Sequence, residues 1–109
     1  MVKLTVMYNL PDGADHDEFV AWRTTSHQQA NRSAPGVVRT DFYVVRRGLD
    51  GPPRYRYLTE AWFHTMEDLE AAFLTGAARA KLDQDLERIA DPVFVISEEV
   101  VADGAIGMP

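Results

Sequence analysis

Residues 55–73 read YRYLTEAWFHTMEDLEAAF, and the spacing of their apolar residues changes midway. Up to Phe63 the chain alternates, with Tyr55, Tyr57 and Phe63 on one side and Trp62 on the other, which is the two-residue period of a strand. Thr65-Met66-Glu67-Asp68 then sets a hydroxyl three residues ahead of an acid, the arrangement that satisfies first-turn amides at a helix start. A strand therefore feeds directly into a helix. Gly76 divides that helix, which resumes over residues 77–90 with Leu82, Leu86 and Ile89 on its buried side. Asp91-Pro92 should end it, because the residue before proline is driven out of the helical region, and residues 93–101 then form a last strand.

Working upstream, Gly48-Leu49-Asp50-Gly51-Pro52-Pro53 supplies the turn chemistry of a hairpin loop, so residues 37–47 pair antiparallel with residues 55–63. Residues 2–8 alternate again, with Val2, Leu4, Val6 and Tyr8 on one face. After the turn at Pro11-Asp12-Gly13, Asp15 with Glu18 three residues later caps a first helix expected to run to about Arg32, where Ala34-Pro35-Gly36 stops it. No repeat or low-complexity segment interrupts this order.

Strand, helix, strand, strand, helix, strand is the split βαβ, or ferredoxin-like, order, an α+β fold with a four-stranded antiparallel sheet and both helices on one face. The other face needs a cover, since strand side chains such as Phe42 or Tyr43 would otherwise stand in water. A second copy packed sheet to sheet is the simplest one, so a homodimer is expected.

At 109 residues the chain suffices for one domain and one modest core. Eleven Lys and Arg against seventeen Asp and Glu give a net charge of −6, with no basic stripe, which argues against nucleic acid. Without cysteine there is no disulfide, thiolate metal site or cysteine nucleophile, and a reducing compartment suits the chain. MVKLTVMY lacks the apolar core of a signal peptide, and no apolar run approaches the ~20 residues that cross a bilayer, so a cytoplasmic location without membrane contact is expected. Residues 102–109 read as a mobile tail.

Several segments taken together, VKLTVMYNLPD, HDEF, His27 followed by Ala34-Pro35-Gly36, YLTEAWFHTMEDLEAAF and KLDQDLERIADP, resemble the EthD family of the dimeric α+β barrel superfamily. The resemblance runs from about Val2 to Val101. In the family pattern a proline often follows the histidine closely, whereas here Gln28-Gln29-Ala30 does. The resemblance implies a cofactor-free homodimer with a small apolar cavity between sheet and helices in each subunit. Superfamily relatives are similar in fold yet include lactone isomerases, polyketide cyclases and dehydratases, cofactor-independent oxygenases and proteins of no established activity, so fold alone cannot choose among them.

His27 is the candidate catalytic residue. Its unperturbed pKa of ~6.5 suits it to act as base or acid near neutrality, and a helix-end histidine bonded to a carbonyl is the competing structural reading. Tyr8, Trp22, Arg23, Tyr57 and Phe63 are candidate ligand contacts, with Tyr57 or Tyr8 as the polar partner because a buried phenol must find a hydrogen bond. Asp85 lies at the edge of a buried helix face and matches an acidic position of the family pattern, and a salt bridge to Arg88 or Arg79 explains it equally. His16 sits three helical turns before His27, ~16 Å along the axis, so the two cannot share a metal. His16 reads as a surface residue near the cap and His64 as a turn residue. No metal or cofactor is expected.

These residues suit proton transfer (isomerisation, cyclisation or dehydration) on an apolar or aromatic metabolite, such as a polyketide or a catabolic intermediate. Cofactor-independent oxygenation of a phenolic substrate, and a non-catalytic ligand-binding or structural dimer, are the alternatives.

Overall fold

The computed structural model describes residues 1–104; of the tail expected over 102–109, residues 105–109 lie outside the described part. Strand β1 is Val2–Asn9, helix α1 His16–Thr24, helix α2 Ser26–Arg32, strand β2 Val37–Val44 and strand β3 Tyr57–Phe63. Helix α3, Met66–Leu69, continues through a π-helical turn, Glu70–Leu74, to α4, Gly76–Asp85. A 3₁₀ turn, Leu86–Arg88, leads into strand β4, Ala90–Glu98. The sheet order is β2-β3-β1-β4 with every pair antiparallel, as the ferredoxin-like reading requires.

Both expected caps form. Asp15 Oδ1 accepts from the Glu18 amide at 2.9 Å and Thr65 Oγ1 from the Asp68 amide at 3.1 Å, each relieving a donor that the helix itself leaves unpaired. The first helix, expected as one piece, is two. At Thr25 the backbone leaves the helical region, φ −115° and ψ −96°, and the chain restarts at Ser26. The hydroxyls of Thr24 and Thr25 reach back to the carbonyls of Val20 and Ala21 at 2.7 and 2.6 Å, competing with the backbone for the same acceptors. Back-bonding of this kind bends and destabilises a helix.

Several boundaries differ from expectation, the last strand among them, which runs Ala90–Glu98 rather than over 93–101. Strands β2 and β3 stop at Val44 and start at Tyr57, so the hairpin loop spans 45–56. The last helix does not reach Asp91-Pro92. It tightens at Leu86–Arg88, and Asp91, at φ +52°, sits with Pro92 inside β4 where the pairing with β1 shifts register. Proline is tolerated there because β4 is an edge strand with a bulge.

The core lies between the sheet and the helices. Val2, Leu4, Val6 and Tyr8 of β1 meet Tyr57, Ala61 and Phe63 of β3, capped by Phe19, Leu69 and Ala72. Phe63 and Leu69 are wholly buried. Phe42, expected on the bare face, is instead packed against this core. A bulge at Val38 inserts one residue into β2 between Val37, opposite Phe63, and Arg39, opposite Trp62, and so reverses which face the later residues take.

The face away from the helices is largely polar and internally paired. Lys3 Nζ lies 2.6 Å from Glu60 Oε2, Thr5 Oγ1 donates to the same oxygen at 3.1 Å, and Trp62 Nε1 donates to Asp41 Oδ2 at 3.3 Å. Tyr43, 44% exposed, and Val95, 41% exposed, stand on the same face.

Candidate functional site

A cavity of about 210 Å³ lies between the sheet and the helices. Its walls are mostly apolar: Leu4, Val6 and Ala61 from the sheet, Phe73 from the π-helical turn, Leu82 from α4 and Ile89 beyond it. Into this apolar lining the fold sets His27, Asp85, Arg23, Tyr8 and Thr59. A concave, mostly apolar space with a few convergent polar groups is the usual form of a small-molecule site.

His27 is 15% exposed at its side chain, and its ring stacks on Trp22 with centroids 4.2 Å apart at 23°. The helix break makes this contact possible. In an unbroken helix, residues five apart point roughly 140° away from each other, and the interruption at Thr25 folds α2 back so that His27 meets Trp22. Arg88 lies over the Trp22 ring at 4.3 Å. Asp85 Oδ2 is 3.8 Å from His27 Nδ1, while Asp85 Oδ1 accepts from Lys81 Nζ at 2.8 Å. The partners foreseen for Asp85, Arg88 and Arg79, are engaged elsewhere, Arg79 with Asp83 at 3.0 Å.

Burial pushes the His27 pKa from 6.5 down to about 4. Asp85 opposes the shift, and the nearby charges of Arg23, Lys81 and Arg88 add to it. At neutral pH the imidazole is therefore uncharged and able to accept a proton, and it cannot serve as the resting acid. Trp22, His27, Ala30, Lys81 and Asp85 border both the cavity and an open groove outside it, so the histidine and its carboxylate neighbour stand at the cavity mouth.

Deeper in, Tyr8 is 3% exposed and its hydroxyl shares a 2.9 Å hydrogen bond with Thr59 Oγ1. Burial raises the phenol's pKa, so it stays a neutral donor at physiological pH. Arg23 is 1% exposed, donates from Nη1 to Gln28 Oε1 at 2.5 Å and from Nη2 to the Asp41 carbonyl at 3.4 Å, and lies over the Phe42 ring at 4.9 Å.

Of the residues nominated from sequence, Tyr8, Trp22, Arg23 and His27 border the cavity. Tyr57 and Phe63 do not. Tyr57 is packed in the core, where its hydroxyl shares a 2.5 Å hydrogen bond with His16 Nδ1 and its ring stacks on Tyr8. Phe63 packs edge-on against Phe73. His16 is an exposed residue near the cap, as expected, and is also tied to this core phenol. Thr59 and Gln28 escaped the sequence reading. Thr59 alternates with the core positions of β3 and could have been found by that parity, whereas nothing local marks Gln28. Among the described residues no three His, Asp or Glu side chains converge as a metal site would need, and no helix is long and apolar enough to cross a membrane.

No protein-family model and no curated protein matches the chain. Solved structures do. An EthD family protein from Bacillus halodurans C-125 is similar with a TM-score of 0.72 at 21% identity, over 92% of this chain and 99% of that one. An EthD-like protein from Ralstonia eutropha JMP134 gives 0.67 at 25%, over 92% of each chain. A dimeric ferredoxin-like protein of unknown function from Thermobifida fusca YX gives 0.66 at 18%, over 88% of each. With its four antiparallel strands and one-sided helices, the chain has an EthD-like, ferredoxin-like fold of the dimeric α+β barrel type.

Proposed function

We propose that the protein binds an apolar or aromatic metabolite in the cavity and that His27 moves a proton on it, without a metal or organic cofactor. The observation that carries this reading is an uncharged histidine at the mouth of an apolar cavity with a carboxylate 3.8 Å from its Nδ1. Asp85 favours the tautomer with hydrogen on Nδ1 and leaves Nε2 as the proton acceptor. A C–H bond next to a carbonyl breaks, its electron pair stays on the ligand as an enolate, and its proton passes to Nε2. Asp85 then stabilises the imidazolium. Return of the proton to another carbon gives isomerisation. Attack of the enolate carbon on a second carbonyl of the ligand, whose π bond opens and whose oxygen takes the proton, gives ring closure. Transfer of the proton to a departing β-hydroxyl, which leaves as water, gives dehydration. The hydrogen-bonded pair of Tyr8 and Thr59 leaves one O–H free to donate to an oxygen of the ligand.

The working unit is a homodimer closed through the face that carries Tyr43 and Val95. Support comes from that uncovered face and from the dimeric state of the Thermobifida fusca neighbour.

Proton abstraction can be tested without knowing the natural substrate. With 2-tetralone as carbon acid in deuterated buffer, NMR should show exchange at its α-carbon accelerated by wild type, and His27→Ala should lose ~100-fold of that acceleration while keeping its fold. Equal rates for the two proteins would leave a binding protein in which His27 only packs against Trp22. Oxygen uptake with phenols would redirect the assignment to oxygenation.

A further inference from the structure

We propose that the cavity's ligand is an acid, and that Arg23, with the Tyr8 hydroxyl beside it, binds its carboxylate. The inference rests on the cavity being a ligand site and names the chemical class that site takes.

Arg23 is the most buried polar side chain among the described residues, at 1% exposure, and it borders the cavity. A guanidinium keeps its charge under all physiological conditions and offers five N–H donors. Its two acceptors here, the Gln28 amide oxygen and the Asp41 carbonyl, are both neutral, and the second is distant at 3.4 Å. Among the described residues no carboxylate lies within ion-pair distance of it. The Asp41 carboxylate is taken by Arg39 Nε, at 2.8 and 3.0 Å, and by Trp62 Nε1. The Phe42 ring offers a cation–π contact, which offsets only part of the cost of removing a full charge from water.

A charge this deep is almost always paired. If Arg23 served only to clamp α1 to β2, an uncharged amide or an apolar side chain of similar length would do so without the desolvation cost. An incoming carboxylate resolves the imbalance, since its two oxygens match the guanidinium fork. Tyr8 adds a neutral O–H from the same wall. Burial lowers the Arg23 pKa, and the neighbouring Tyr8 and the Asp41 charge only partly oppose it.

The placement also fixes orientation. The acid group docks inside against Arg23, and the remainder of the ligand extends through the apolar section toward His27 at the mouth.

Titration calorimetry with 2-naphthoate and its neutral isostere 2-naphthamide tests the assignment. Wild type should bind the carboxylate at least about tenfold more tightly, the margin of a charge-assisted over a neutral hydrogen bond. Arg23→Met should erase that preference while still binding the amide. If that variant does not fold, the wild-type comparison still decides, and Arg23→Lys, which keeps the charge but loses the fork, should weaken naphthoate alone. Equal or tighter binding of the amide by wild type overturns the carboxylate site and leaves the cavity intact as a neutral-ligand site. Failure of both compounds, together with failure of naphthalene itself, overturns the cavity reading and this inference with it.

Discussion

His27 is depressed to a pKa of about 4 from 6.5, and this links its protonation to folding. Because the folded state holds that proton less tightly than the unfolded chain does, the histidine costs nothing above pH 6.5. Stability is lost as pH falls from about 6.5 towards about 4, by up to about 3 kcal/mol at 1.36 kcal/mol per pKa unit. Thermal melts across this window should therefore fall more steeply for wild type than for His27→Gln, and parallel curves would refute the assignment. The histidine could be nominated from sequence because one ring late in a capped helix is conspicuous. Asp85 was singled out as well, but its pairing with His27 was not, since Asp85 lies far along the chain on another helix and only the fold brings them together. Arg23 shows the same limit. Its position suggested a ligand contact, but the lack of a counter-charge depends on where Asp41 turns its carboxylate.

At the level of elements, the capping residues were the most legible part of the chain, because their effect is settled within four residues. Asp15→Ala and Thr65→Ala should each cost about 1 kcal/mol in urea unfolding. Glycines give a sharper comparison. Gly13, φ +84°, has open space where a Cβ would stand, whereas Gly36, φ +79°, would set one 3.2 Å from Asp68 Cβ. Gly13→Ala should lose about 1 kcal/mol from backbone strain alone, and Gly36→Ala measurably more. Equal losses would show that Asp68 yields freely. What defeated sequence reading were local competitions that leave periodicity intact: two threonine hydroxyls that break a helix, and a bulge that reverses the faces of β2. Asp91-Pro92 misled for a related reason, as a proline compatible with a helix stop is also compatible with an edge-strand bulge.

Across the whole molecule, topology was readable because six elements in this order leave few arrangements, while the character of the open face was not. That face carries paired charges as well as apolar side chains, so the proposed dimer would seal ion pairs inside its interface. Sedimentation should give twice the 12.3 kDa chain mass, and Val95→Asp should yield a monomer with unchanged secondary structure. A wild-type monomer at micromolar concentration would refute the proposed assembly. The central strands β1 and β3 serve both sides of a sheet one residue thick. Val6, Tyr8, Thr59 and Ala61 line the cavity, and their immediate neighbours Thr5, Glu60 and Trp62 belong to the opposite face. Under the proposed ligand site and dimer, adjacent letters in the gene answer to different selective pressures, and evolution can rewrite ligand preference at alternate codons of two strands while leaving subunit recognition untouched.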